Sequence, residues 1–184
     1  MNGNAAADQE QMLVQAIVNG DTKRFEEIVQ KYTVPISTLV YKLAGTKLDV
    51  DDVTQDVLVA LYQSLPRFRF GSKLSTYVYR ITVNTVAKGL KEQGRLARIN
   101  DYTESTNPQL HQHSVEETMM HNDRQNELLA AIEQLKLDQR TALTLFYFNE
   151  LSYKEIAMVM DITLSKTESL LYRAKQNLKN KLDK

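Results

Sequence analysis

Phe68 and Phe70 alternate with Arg67 and Arg69 in the run RFRFGSK, which ends on Lys73. Cations neutralise phosphates and aromatic faces stack on unpaired bases, so interleaving the two in one loop suits single-stranded nucleic acid. Tyr77, Tyr79, Asn84, Lys88 and Lys91 continue this chemistry downstream, and an Asn amide can hydrogen-bond a base edge. The structural alternative makes the two Phe core anchors. At least one of them is expected to be so, with Tyr77 partly buried as well.

A second constellation lies in LSYKEIAMVMDITLSKTESLLYRAKQNLKNKL. Ser152 and Glu155 have capping-box spacing and open a helix carrying Ile156, Ala157, Val159 and Met160 for packing. A turn at Asp161-Ile162-Thr163 leads to a longer helix capped by Thr163 or by Ser165, the latter with Glu168 as its box partner. Leu164, Leu171, Ala174 and Leu178 form the inward stripe, leaving Lys166, Ser169, Leu170, Tyr172, Arg173 and Lys175 outward or flanking. A short helix, a tight turn and a longer helix make a helix-turn-helix, whose second helix can enter the major groove. The alternative is a plain helical hairpin. The cap spacing, the small Ala157 and the basic Arg173 and Lys175 favour DNA reading.

The third group is acidic. Asp52, Gln55 and Asp56 stand at i, i+3 and i+4 and so share one helix face, opposite an apolar stripe. Dipole complementation at a helix start, worth about 0.3–1 kcal/mol per group, accounts for Asp49. An acidic face on a DNA-binding domain would repel DNA, so a basic protein partner is the better reading.

Covalent chemistry is poorly provided for. There is no Cys, and His111, His113 and His121 fall together in a polar stretch. No Gly-rich phosphate loop and no Gly-x-Ser-x-Gly elbow is present. The pairs Glu26/Glu27 and Glu116/Glu117 are sequence neighbours whose side chains point apart. No catalytic residue, metal site or cofactor is expected.

Charge is distributed in blocks. The 184 residues carry 23 Lys+Arg and 23 Asp+Glu, yet residues 67–98 hold eight basic groups and one acidic group. Residues 99–138 hold two basic and eight acidic groups, and 139–184 hold eight basic and five acidic. Two basic blocks flanking an acidic one point to two polyanion-binding surfaces.

Helical spacing of apolar residues dominates the elements that must position these groups. The first helix runs from about Asp8 to Val18 with Met12, Leu13, Ala16 and Ile17 inward. Asp21 caps the second, whose stripe runs from Phe25 to Leu43, with a kink or break expected at Pro35. The third starts at Asp49, buries Val53, Val57, Leu58, Leu61 and Leu65, and ends at Pro66. Ser75 caps the fourth, with Val78, Ile81, Thr85, Val86 and Leu90 inward. Residues 99–122 lose periodicity and read as an acidic linker. A helical pattern resumes near Asp123 with Leu128, Leu129, Ile132 and Leu135, and Asp138 opens the next helix. The expected fold is therefore all-α: two small helical domains, 1–98 and 123–184, joined by a flexible linker, the C-terminal one containing the helix-turn-helix. The apolar runs fall short of the roughly 18 residues a membrane span needs. MNGNAAADQE lacks the basic and apolar parts of a signal peptide, and a cytoplasmic location is expected.

The segment NELSYKEIAMVMDITLSKTESLLYRAKQNLKNKL, preceded by AIEQLKLDQRTALTLFYF, resembles the last conserved region of bacterial RNA polymerase sigma factors, most closely the extracytoplasmic-function (ECF) group. LDVDDVTQDVLVALYQSL is similar to that family's polymerase-binding helix, and PRFRFGSKLSTYVYRITVN to its promoter-melting region. The departures are Tyr77 where the family usually has Trp, Asp161 where it often has Gly, and Glu168 and Leu170 where it often has Lys and Arg. The resemblance implies core RNA polymerase as partner, through the clamp of its largest subunit and the flap of the second-largest. Asp52, Gln55 and Asp56 would meet the clamp. Promoter DNA would be met twice. Arg67, Phe68, Arg69, Lys73, Tyr77, Asn84, Lys88 and Lys91 would recognise the start-proximal element (about −10) and capture a flipped base of the melted non-template strand, an extrusion that costs a few kcal/mol. Lys166, Ser169, Leu170, Tyr172, Arg173 and Lys175 would read the upstream duplex (about −35). An inhibitory anti-sigma partner is left open, and no membrane insertion is implied.

Two rival readings compete. A stand-alone helix-turn-helix regulator would bind a palindromic duplex as a dimer, leaving the acidic face unexplained. A sigma-like protein-interaction module with weak DNA binding would account for Glu168 and Leu170.

Overall fold

The computed structural model describes residues 3–103, 128 and 130–182, with helices and no strands among them. Four long helices come first: α1 (Gly3–Val18), α2 (Phe25–Ala44), α3 (Val50–Ser64) and α4 (Leu74–Thr103). A helical stretch, α5, described at 128 and 130–133, precedes α6 (Leu137–Tyr147), α7 (Tyr153–Met160) and α8 (Leu164–Leu182). Helix α4 passes the expected boundary at residue 98. The expected linker from 104 onward and the helical restart near Asp123 lie outside the described residues, as do His111, His113, His121 and Leu129.

Helix α2 is the spine of the first half. Ile28, Tyr32, Ile36, Leu39, Val40 and Leu43 recur at three- and four-residue steps, and all are buried. This burial decides the fate of Pro35, where a kink or break was expected and the helix runs on without a break. A helix-interior proline costs about 3 kcal/mol, whereas each large apolar side chain taken out of water returns about 1.5–3 kcal/mol. Six such residues outweigh one proline. Helices α3 and α4 complete the bundle through Val53, Val57, Leu61, Leu74, Val78 and Val86. Asp49 caps α3, its carboxylate accepting from the backbone N–H groups of Asp51 and Asp52 at 3.0 Å each.

Some expected details differ. Among the residues of α1 whose burial is described, Val14 and Ile17 are buried and Met12 is exposed, so the stripe is rotated by about one position. Asp21 precedes a 3₁₀ turn, Thr22–Arg24, without a side-chain cap bond. Helix α4 already starts at Leu74, which puts Ser75 inside it rather than at its cap, and Leu74 buries itself where a polar cap would have stayed in water.

The second half folds on α6, whose residues Gln139–Leu145 are all buried. It packs against the first half. One apolar cluster runs without interruption from Ile28, Leu43 and Val78 through Ala142, Leu145, Ile156, Val159 and Leu171. Arg140 helps to join the halves. Its guanidinium donates to the Leu43 carbonyl at 2.9 Å, and so binds the negative end of the α2 dipole.

Candidate nucleic-acid interface

The basic-aromatic loop is built by the end of α3 and the start of α4. A 3₁₀ turn, Leu65–Arg67, stops α3 at Pro66, and Leu65 and Leu74 anchor both sides of the loop in the core. Phe68 is half-buried against that core. Its ring lies 4.8 Å from Phe70 and 4.7 Å from Tyr77, tilted against both. Three aromatic rings thus form one cluster. Phe70 is held at φ 55°, a left-handed conformation that a bulky residue rarely adopts and that costs about 1–3 kcal/mol. Phe70 is 38% exposed. Tyr77 is only 9% exposed, and its hydroxyl donates to the Ser64 carbonyl at 3.2 Å.

Beside the rings is an open cleft of about 410 Å³ lined by Arg67, Phe68, Arg69, Tyr77, Arg80 and Met158, among others. The Arg80 guanidinium stands 5.2 Å from the Tyr77 ring centre, within cation–π reach. Further along α4, Asn84, Lys88 and Lys91 are exposed, and with Arg80 they follow helical spacing along one face for about 16 Å. The structure therefore brings together Arg67, Phe68, Arg69 and Tyr77 at the cleft and sets Asn84, Lys88 and Lys91 in a row leading away from it.

Lys73 is placed differently. It is exposed, and its Nζ is 2.9 Å from Glu155 Oε1 on α7. Glu155 Oε2 accepts from the Ser152 backbone N–H at 2.9 Å, while Ser152 Oγ accepts from the Glu155 backbone N–H at 3.3 Å. The expected capping box is present. The hydrogen bond from Lys73, followed by those from Ser152, pulls the Glu155 carboxyl down to about 2, so it is charged at neutral pH. The same pairing raises Lys73 above its ordinary value.

Helices α7 and α8 form the helix-turn-helix. Asp161 ends α7 in the left-handed region, at φ 52° and ψ 50°. An Asp tolerates this conformation better than most side chains, which is why the turn forms without Gly. Thr163 caps α8, its Oγ1 accepting from the Lys166 N–H at 3.2 Å. The expected alternative of Ser165 with Glu168 is not used. Leu164, expected inward, is exposed, and Thr167 is buried in its place, because a residue at the first position of α8 projects past the end of the hairpin. Lys166, Ser169, Tyr172, Arg173 and Lys175 are exposed. Leu170 is half-buried and packs against the core. The Lys175 ammonium lies 5.2 Å from the Phe146 ring centre.

Asp52, Gln55 and Asp56 are exposed on the face of α3 opposite Val53, Val57 and Leu61. Sequence reasoning missed Arg80 as a cleft residue, although its spacing from Tyr77 and Asn84 would have placed it there. It also missed Met158, for which no local signal exists, and the pairing of Glu155 with Lys73. No group of His, Cys, Asp or Glu that could hold a metal occurs among the described residues, and no described helix is long and apolar enough to cross a membrane.

Comparison with known proteins matches this geometry to one family. Sigma-70 region 2 matches residues 28–96, the part with the loop and the acidic face. Sigma-70, region 4, matches residues 125–178, the part with the helix-turn-helix. The chain is 32% identical over 176 residues to the RNA polymerase sigma-H factor of Pseudomonas aeruginosa, covering 92% of this chain and 91% of that protein. It is also 32% identical over 180 residues to the ECF RNA polymerase sigma-E factor of Escherichia coli, covering 94% of each. Among solved structures, the sigma factor RpoE in complex with the anti-sigma factor NepR from Bartonella quintana superposes with a TM-score of 0.71 at 19% identity, over 88% of this chain and 98% of that one. CnrH in complex with the cytosolic domain of CnrY gives 0.66 at 20% identity, over 94% and 96%. These two likenesses show the fold. The chain belongs to the extracytoplasmic-function group of bacterial RNA polymerase sigma factors, DNA-binding proteins that direct transcription initiation.

Proposed function

We propose that the first half of the chain binds core polymerase and opens the start-proximal promoter element, while the second half reads the upstream element. The observation that carries this reading is the cleft of Arg67, Phe68, Arg69, Tyr77 and Arg80. Stacking surfaces next to three guanidinium groups suit an unpaired base and its flanking phosphates, and duplex DNA hides the base faces that such a site would use. A base extruded from the stack exchanges lost stacking for contact with Phe68 and Phe70. The row of Arg80, Asn84, Lys88 and Lys91 runs on as a track for the adjoining backbone.

In the second half, Lys166, Arg173 and Lys175 supply the phosphate contacts that position α8, and Ser169 and Tyr172 face the groove. Leu170 partly packs inward, so its contribution there is apolar. Asp52 and Asp56 present negative charge beside Gln55 on the exposed face of α3, which fits the polymerase clamp. The flap of the second-largest subunit is the matching contact for the second half. No step of this function involves covalent chemistry, and no cofactor enters it.

The experiment is a purified binding assay with core polymerase and an oligonucleotide carrying the melted start-proximal element. Loss of binding on replacing Arg67, Arg69 and Arg80 by Ala is the expected result. Unchanged affinity would remove the cleft from the mechanism.

A further inference from the structure

A second cleft, of about 300 Å³, lies between the start of α6 and the last turns of α8. Lys181 in its lining is 15 positions from Lys166 on the same helix, or about 22 Å away, so the cleft stands well apart from the DNA-facing end of α8. Its size is at the lower end of the range for small-ligand sites, roughly 300–1,000 Å³. Carboxamides dominate the lining: Gln134, Gln139, Asn177 and Asn180, with Lys136 and Lys181 beside them. No Asp or Glu among the described residues lines it. Asp138 is exposed outside it, and the Glu133 carboxylate lies toward Gly45, 3.3 Å from where a β-carbon on that glycine would stand.

The lining groups satisfy one another through neutral acceptors. Lys181 Nζ donates to Gln134 Oε1 at 2.8 Å, and Asn177 Nδ2 donates to Gln139 Oε1 at 3.0 Å. Among the described residues, neither Lys136 nor Lys181 stands in an ion pair. A hydrogen bond between ionised partners is about twice as strong as a neutral one, so an anion can take Lys181 from an amide oxygen. The bond between Asn177 and Gln139 leaves Asn177 Oδ1 as an acceptor and Gln139 Nε2 as a donor. Gln139 is buried, and polar groups held away from water discriminate most strongly between partners. Asn and Gln read adenine by this combination, accepting from N6 and donating to N7.

From the pairing of two ammonium groups with a donor–acceptor amide pair in one carboxylate-free cleft, we propose that the second half of the chain holds a site for a free adenine mononucleotide. Lys136 and Lys181 meet its phosphates, Asn177 and Gln139 meet the base edge, and Leu135 supplies apolar contact. The same bonds also tie α8 to α6, and Lys181 complements the negative end of the α8 dipole. Those structural roles account for Asn177 and Lys181 and leave Lys136 and Asn180 without one. A cleft of this size takes one nucleotide and not a strand. The site shares no residue with the cleft before α4, and its occupation leaves Lys166, Ser169, Tyr172 and Arg173 open.

Titration calorimetry of the full chain with ADP, GDP, pyrophosphate and tri-adenylate tests the site. One ADP should bind per chain and raise the melting temperature, because a ligand of the folded form alone stabilises it. Lys136→Gln removes a side chain that makes no hydrogen bond among the described residues, and should weaken ADP about fivefold; with Lys181→Gln the loss should reach about 25-fold. Asn177→Ala should lower the preference for ADP over GDP by about two- to tenfold while pyrophosphate binding stays the same. Thermal melting confirms that each variant is folded, and Lys136→Gln alone serves if the others are not. No saturable binding at millimolar ADP, or binding that survives both Lys substitutions, would overturn the site. GDP or pyrophosphate binding as tightly as ADP would overturn the adenine assignment. Tri-adenylate binding about tenfold tighter than ADP would make the ligand a nucleic-acid chain and overturn the free nucleotide.

Discussion

Replacing Phe68 separates a structural from a functional role for the ring, because two substitutions act on the two roles differently. The ring is half-buried against the core and lies between Phe70 and Tyr77. Full burial of a Phe makes truncation to Ala cost about 3–5 kcal/mol, so the half-buried ring predicts a loss near 2 kcal/mol for Phe68→Ala. Phe68→Leu keeps most of the volume and should cost less than about 1.5 kcal/mol. Stacking on a base depends on the ring and not on volume. Both variants should therefore lose the same contact, worth about 1–3 kcal/mol, or about 5- to 150-fold in affinity. The assay is anisotropy of a labelled single-stranded start-proximal oligonucleotide on the polymerase-bound protein, with thermal melting alongside. Leu should recover the stability and not the affinity. If Leu restores both together, the ring is a core anchor and the stacking argument is wrong.

Three further outcomes follow from the geometry. Replacing Asp52, Gln55 and Asp56 together by Ala should weaken core-polymerase binding while changing stability by less than about 1 kcal/mol, most of it from the Asp52 charge in the first turn of α3; equal losses of folding and binding would refute the assignment. Glu168→Lys should raise affinity for upstream duplex and steepen log K against log[salt] by about 0.9 per added phosphate contact, with no loss of stability because Thr163 and not Glu168 serves the cap; an unchanged slope would place this face of α8 away from DNA. The Lys73–Glu155 pair should give its full stabilisation above pH 4.5 and lose it as pH falls toward 2, since the folded-state carboxyl lies below its ordinary value of 4.5. An exposed pair of this kind contributes about 0.2–1 kcal/mol, and a stability difference between wild type and Glu155→Gln that does not shrink as pH falls from 4.5 toward 2 would contradict it.

Much of the architecture is legible because it is local. Helical spacing of apolar residues locates α2, α3 and α8, and the Ser152–Glu155 box marks the start of α7 from four adjacent letters. Rules of similar range err where several residues compete for one role. Ser75 and Ser165 look like caps, yet α4 begins at Leu74 and α8 is capped by Thr163. Pro35 looks like a break, yet the burial of its neighbours on α2 outweighs it. The composition of the cleft was legible in RFRFGSK, and the contribution of Met158 from α7 to its lining was not. Lys73 and Glu155 are 82 positions apart, and Arg140 and Leu43 are 97 apart. Nothing in the periodicity of either segment encodes which distant helix will lie across it.

Transcription from purified components tests the central claim most directly, with core RNA polymerase, this protein and a template library of candidate promoters. The account predicts specific transcripts only when the protein is present, and their loss when Arg67, Arg69 and Arg80 are replaced by Ala even though polymerase is still bound. Promoter-specific initiation that survives those three substitutions would contradict it.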